Sequence, residues 1–324
     1  METADFKMKI RKFLKGNGDN TQNRLLSAIL IIIVVAMCFA TDRFYRPTNL
    51  LNILVQVTAL GIAALGAGMV MMSGGFDLTI GNVISFAGCS AAFVMSMGAN
   101  AQVGFLTGVA VATACGFING VLVVVTKAEP FIITLGMMTI YQGITLLVTR
   151  GKNIKVEAAG FTFGRDKIGG VFPITILALI LVYIIIGLIL KFTKFGRRVY
   201  SIGDNEEASY LSGIKIKRNK ILIYTLNGFL LGIAAMFLLS RLGSCNSTMG
   251  DSILMQAIAA AVIGGVSMAG GKGSAIGVFF GTLLIGIISN SLNLLQVPSF
   301  WQYVILGSII VVAVYVSNIG KKSR

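Results

Sequence analysis

The sequence contains no histidine, and only 12% of its 324 residues are charged. Without histidine, imidazole acid–base catalysis and histidine-ligated metal sites are excluded. Soluble domains carry about a quarter charged residues, so half that share excludes an ordinary soluble enzyme. The four cysteines show no C-x-x-C spacing, so they indicate neither a zinc site nor a disulfide framework.

Sequence motifs of nucleotide hydrolysis and of nucleophilic catalysis are missing as well. The chain has neither a G-x-x-x-x-G-K-[ST] phosphate loop nor a G-x-S-x-G nucleophile elbow. Its 12 acidic residues all fall in predicted loops, tails or span edges, whereas ion-coupled carriers generally use ionisable groups buried at membrane depth. We therefore expect no buried acid and no catalysis by this chain, so that energy for uphill transport must come from another subunit.

Apolar residues are abundant instead, at 56% of the chain, with a mean hydropathy of +0.86. A transmembrane helix needs about 20 apolar residues. Ten segments approach this length, and they lie at residues 25–40, 50–72, 78–97, 103–126, 131–149, 171–190, 221–240, 252–268, 275–294 and 300–317. The first and eighth are short. The sequence thus predicts an all-α polytopic membrane protein with about ten transmembrane helices.

The distribution of charge predicts the orientation. Most of the 27 lysines and arginines fall on the side of the N-terminus, and basic residues collect on the cytoplasmic side of membranes. With an even number of spans, both termini are predicted to be cytoplasmic. The predicted organisation is a basic arm (1–24), a transmembrane domain (25–317) and a cytoplasmic tail (318–324). Within that domain, the long loop at 191–220 is predicted to be cytoplasmic and the loop at 150–170 extracytoplasmic.

A faint internal repetition suggests how the spans are related. Gly116-Phe117-Ile118-Asn119 loosely recurs around Gly286 to Asn290. If spans one to five and six to ten are copies, their odd number makes them an inverted five-helix repeat.

The cytoplasmic loop contains a pattern typical of a short helix at 203–213. Asp204 or Asn205 can cap its N-terminus, acids occupy its first turn and Gly213 ends it. Ala208 and Leu211 would share a small apolar face. The spacing alone leaves two interpretations, a helix that docks into a partner or a solvated loop.

Two glycine-rich segments, 74–81 and 264–273, stand near span edges. Broken helices at membrane depth often line a translocation path, but small residues also permit close helix packing. Three polar residues are candidates for the path, namely Asp77, Asn119 and Gln256. Asp77 could instead cap the third span, and Gln256 could be a packing residue.

Three ordered motifs resemble the membrane permeases of ribose-type bacterial ABC sugar importers. They are SGGFDLTIG (73–81), FGRRVYSIGDNEEASYLSGI (195–214) and AIAAAVIGGVSMAGGKG (257–273), and the similarity runs from the first span to the last. The resemblance implies a homodimeric permease in the bacterial inner membrane. It would receive a small hydrophilic solute, above all a monosaccharide such as ribose, from an extracytoplasmic binding protein. A cytoplasmic ABC ATPase would bind ATP-Mg and drive transport, while this chain binds no cofactor.

The resemblance also implies roles for particular residues. The matching loop of such permeases docks into the ATPase, which assigns that contact to Gly203, Asn205, Glu206, Glu207, Ala208, Leu211 and Gly213. One departure concerns the solute, because relatives commonly carry acids just before the A-I-A-A segment, where this chain has Leu254 and Gln256. Two alternatives stay open: a branched-chain amino-acid ABC permease and a stand-alone ion-coupled sugar carrier.

Overall fold

The computed structural model describes residues 18–156 and 158–319, which form twelve α-helices and four two-residue strands. The helices are α1 (Gly18–Ala40), α2 (Pro47–Met72), α3 (Ile80–Ser96), α4 (Ala101–Thr126), α5 (Pro130–Thr149), α6 (Ile174–Phe192), α7 (Lys194–Asp204), α8 (Glu206–Leu211), α9 (Ile216–Leu242), α10 (Asp251–Ile263), α11 (Ala275–Leu294) and α12 (Ser299–Ile319). The strands are β1 (Ile154–Lys155), β2 (Lys167–Ile168), β3 (Phe172–Pro173) and β4 (Ser244–Cys245).

Each of the ten predicted spans overlaps one of these helices, which confirms the helical, polytopic class. Among the described residues, six helices are long and apolar enough to cross a membrane, namely α2, α4, α5, α6, α9 and α11. The count of ten crossings, the cytoplasmic termini, the domain boundaries and the inverted repeat stay predictions. Most of the predicted basic arm and tail lies outside the described residues, but residues 18–24 already belong to α1.

The predicted eighth span, 252–268, is too long, because α10 has only 13 residues and ends at Ile263. The amides of Gly264 and Gly265 close its last turn on the carbonyls of Ala260 and Val262. The chain then runs without helical structure until the Ser274 side chain accepts a hydrogen bond from the Gly277 amide and caps α11.

Helix α2 lies at the centre of the bundle. It contacts α6, α9, α10 and α11, and every residue from Val57 to Met72 is buried. A helix that is apolar on all sides is typical of such a central position. The predicted loop at 150–170 is held at one end of the bundle, where β1 pairs antiparallel with β4, with Ile154 opposite Cys245. Next to it, β2 and β3 form a second antiparallel pair.

Helices α4 and α9 approach each other closely where Gly116 faces Gly228. A Cβ atom on Gly228 would lie 2.8 Å from the Cα of Gly116 and against the Ala112 carbonyl. Backbone fills the space that a side chain would need, so the contact requires glycine on both helices.

We expect Gly228→Ala to destabilise the protein by about 1–3 kcal/mol, because the added methyl forces α4 and α9 apart. Thermal unfolding in detergent, followed by size-exclusion chromatography, measures the effect. Gly143→Ala is the matched control, because Gly143 on α5 has open space around its Cβ position. Equal unfolding midpoints for the two variants would contradict this packing.

Candidate functional site

The chain interrupts its helical structure between α2 and α3, at residues 73–79, which we call the first break. Asp77 lies within it and is buried, with only 4% of its surface exposed. Its carboxylate accepts hydrogen bonds from the amide and hydroxyl of Thr79, at 2.8 and 2.6 Å, and from Asn227 Nδ2 at 2.8 Å. The expectation that no acid is buried was therefore wrong for Asp77, because donors from a distant helix satisfy it.

Further hydrogen bonds extend from Thr79 into two more helices. Asn119 Nδ2 on α4 donates to Thr79 Oγ1 at 2.9 Å, and the hydroxyl of Tyr141 on α5 donates to Asn119 Oδ1 at 3.0 Å. Asn227 stands eleven residues into α9, about 16 Å from its start at 1.5 Å per residue. The first break therefore folds back into the bundle, where this polar cluster holds it.

Two of the three candidate path residues, Asp77 and Asn119, belong to this cluster. Thr79, not Asp77, is the N-cap residue of α3. Asp77 and Asn119 are joined through Thr79 and are both buried, so the structure brings these two candidates together.

A second interruption, residues 264–274, separates α10 from α11, and we call it the second break. The second break touches the end of α2, directly before the first break, because the amide of Gly271 donates to the carbonyl of Met72 at 2.9 Å. The hydroxyl of Tyr200 on α7 donates to the carbonyl of Gly273 at 3.1 Å. Both glycine-rich segments thus interrupt the helical structure, except that Ile80 and Gly81 already belong to α3, and Gly203 of α7 lies beside both. Their place on a translocation path stays a prediction.

The short helix predicted in the 191–220 loop is present as α8. Asn205 is its N-cap, since Asn205 Oδ1 accepts a hydrogen bond from the Ala208 amide at 2.8 Å. Glu206 and Glu207 occupy the first turn, and Gly213 follows the end of the helix. Of the two N-cap candidates, Asp204 and Asn205, the structure therefore selects Asn205. Gly203 does not belong to α8, because it lies in α7 against the two breaks.

Helix α8 has one tethered face and one free face. Ser209 is buried, and its hydroxyl bonds that of Ser201 on α7 at 2.8 Å, while Glu206 pairs with Lys220 at 2.6 Å. On the other face Tyr210 and Leu211 are 70% and 80% exposed. The segment is therefore an ordered helix that presents apolar side chains outward, as a docking element requires. Docking itself stays a prediction.

Gln256 lies apart from the buried cluster. It lines a cavity of about 250 Å³ between α10, α11 and α12, together with Asp251, Ser252 and Tyr303. Neither Asp77 nor Asn119 lines this cavity. The structure thus places the three candidate path residues in two locations, and their role on the path stays a prediction.

Several residues of both locations were missed from the sequence. Asn227 left a detectable signal, because an amide within the apolar stretch 221–240 needs a partner inside the protein. Thr79 and Tyr141 gave no such indication, since hydroxyl groups recur along the chain and their partners are distant in sequence.

Apolar helices around a buried polar cluster, with helix breaks at one end, define a polytopic membrane transport protein. The chain belongs to the family described as the permease component of the branched-chain amino acid transport system, whose model matches residues 49–314. It is accordingly a multi-pass inner-membrane permease of the ABC importer class, and that class works with a cytoplasmic ATPase and a periplasmic binding protein.

Comparison with individual proteins agrees with this assignment. The chain is 38% identical over 297 residues to a ribose import permease protein of Bacillus subtilis, covering 91% of each chain. It is 34% identical over 305 residues to that of Escherichia coli K12, covering 92% and 94%. It is 31% identical over 302 residues to a fructose import permease protein of Rhizobium meliloti, covering 90% and 84%. No solved structure matches the chain significantly. The predicted resemblance to ribose-type permeases is confirmed.

We expect Thr79→Val to lower the midpoint of thermal unfolding in detergent. The variant removes a donor to buried Asp77 and the acceptor of Asn119, and each buried polar group left without a partner costs about 1–3 kcal/mol. Thr79→Ser keeps the hydroxyl and serves as the control. If both variants unfold like the wild type, the polar cluster does not hold the first break.

Proposed function

We propose that this chain is the transmembrane permease subunit of an ATP-driven monosaccharide importer, with D-ribose as the first candidate solute. The observation that carries this proposal is the 38% identity to a ribose import permease over 91% of both chains. Other similar relatives are named for fructose and D-allose. Because these named solutes are monosaccharides, a branched-chain amino acid is not favoured as the solute.

Buried Asp77 removes one argument against an ion-coupled carrier, because such carriers use buried ionisable groups. Two observations still favour an ATP-driven permease. Membership of the import permease family points to an ATPase partner. In addition, the Asp77 carboxylate accepts three hydrogen bonds, all from protein groups of Thr79 and Asn227. These bonds hold the first break in place, so Asp77 has a structural role.

The cytoplasmic ATPase would dock on the free face of α8. Asn205, Glu206 and Ser209 hold this helix in place. Because the helix is already ordered, little conformational entropy is lost when a partner covers Tyr210 and Leu211. The chain itself would be non-catalytic, with ATP-Mg bound and hydrolysed on the ATPase. A second copy of the chain would complete a homodimeric pathway that works by alternating access.

The cavity beside Gln256 supplies groups that suit a sugar. Gln256 can donate and accept hydrogen bonds, Asp251 accepts them and Ser252 does both. The aromatic ring of Tyr303 lies in the same lining and offers an apolar face. The cavity, at about 250 Å³, lies just below the range of about 300–1,000 Å³ that is typical of ligand pockets, which limits it to a small solute. We assign the outer part of the solute path to this cavity.

We expect Ala208→Glu to weaken ATPase binding about 30-fold, because an unpaired charge at the centre of an interface costs about 2 kcal/mol. Retention of the ATPase by the tagged, detergent-purified permease measures binding, and cellular uptake of labelled D-ribose measures the consequence. Ala208→Ser, which is small and neutral, is the matched control. Wild-type retention and uptake in Ala208→Glu would show that α8 is not the docking element.

We expect Gln256→Leu to raise the KM for D-ribose uptake about fivefold, because the loss of one hydrogen bond costs about 1 kcal/mol. The control is Met255→Leu, which changes an exposed apolar residue of the same cavity lining. If the KM of Gln256→Leu equals that of the control, Gln256 is a packing residue. ATPase retention should be normal in both variants.

A further inference from the structure

At one position the backbone of helix α7 touches the second break and the last residue of α2, which leads into the first break. We call this contact the glycine junction (Met72, Gly203 and Gly271). The amide of Gly271 donates to the Met72 carbonyl at 2.9 Å, so a backbone hydrogen bond joins the second break to the end of α2. A Cβ atom on Gly74 of the first break would lie 3.6 Å from the Cα of Gly203. A Cβ atom on Gly203 would lie against the Met72 carbonyl and 2.6 Å from the Gly271 nitrogen. No side chain fits at Gly203, and the three backbones are in direct contact.

Helices α7 and α8 are linked firmly enough to move together. Asp204 ends α7 and Asn205 caps α8, so one residue joins the two helices. The hydroxyls of Ser201 and Ser209 bond across them at 2.8 Å. On its inner side α7 buries Val199 and Ile202. A displacement imposed on α8 is therefore passed to α7.

The backbone can change its conformation most easily at the breaks when α7 is displaced. Helix α2 is buried from Val57 to Met72 and is packed on five other helices, so it resists bending. The breaks lack continuous helical hydrogen bonds, and α3, α10 and α11 begin or end at them. Helix α10 begins at the Gln256 cavity, since Asp251 lines it, and ends at the second break.

We propose that the glycine junction transmits movement of the ATPase-bound α8 to both breaks, and through α10 to the solute cavity. This inference rests on the proposed function, since it needs an ATPase on α8. Gly203 acts as a positioning residue that touches no solute. Tyr200 holds α7 to the second break beside this junction, through the carbonyl of Gly273.

The test compares the complex of the full-length permease and its ATPase before and after addition of ATP and vanadate. Amide hydrogen–deuterium exchange is followed in residues 73–79 and 264–274. In the wild type we expect exchange to change in both breaks. In Gly203→Ala the ATPase stays bound but both changes are lost, and D-ribose uptake falls roughly tenfold, as for residues that carry coupling between sites. In Tyr200→Phe only the change in residues 264–274 is reduced.

Gly187→Ala is the matched control, because its added Cβ makes an ordinary 3.6 Å contact with Ala275. Wild-type exchange changes in both Gly203→Ala and Tyr200→Phe would overturn the proposal. Should Gly203→Ala fail to fold, Tyr200→Phe tests whether α7 moves the second break: a wild-type response in residues 264–274 overturns the proposal, and a selective loss there supports it. A wild-type permease that retains no ATPase and shows no ATP-dependent change would refute the proposed function, and the role of the junction with it.

Discussion

Backbone N–H and C=O groups inside an apolar helical bundle need partners within the protein, because lipid offers none. The two breaks leave backbone groups without helical hydrogen-bond partners. The structure supplies partners through hydrogen bonds between the breaks and helices α2, α7 and α9. The Gly271 amide donates to the Met72 carbonyl at the end of α2. The hydroxyls of Tyr200 and Tyr224 donate to the carbonyls of Gly273 and Phe76.

The buried cluster around Asp77 answers the same requirement with side chains. A buried carboxylate is costly unless donors surround it, and Thr79 and Asn227 provide three. Asn227 Oδ1 is buried without a partner, but the other hydrogen bonds of the cluster favour one geometry, since another arrangement would break them. The start of α3 is therefore tied at once to α4, α5 and α9, and the first break becomes a defined structural element.

The structure also relates the proposed docking face to the proposed solute cavity. The exposed face of α8 and the cavity beside Gln256 share no residue, yet α10 runs from that cavity to the second break, which α7 touches. With 13 residues at 1.5 Å each, α10 is about 20 Å long. A short helix between two non-helical connections can tilt as a unit, which suits the proposed alternating access by rigid-body movement.

The sequence by itself determined the membrane class, the approximate spans, the short helix α8 with its acidic first turn, and the permease family. These features depend on local composition, periodicity or contiguous motifs. Only the tertiary structure decided that Asp77 is buried, that Gly203 contacts the breaks instead of lying in α8, and that Gln256 is separate from Asn119. Asp77 and Asn227 are 150 residues apart in the chain, as Gly203 is far from Met72. Such contacts follow from how helices pack, and no local pattern records them.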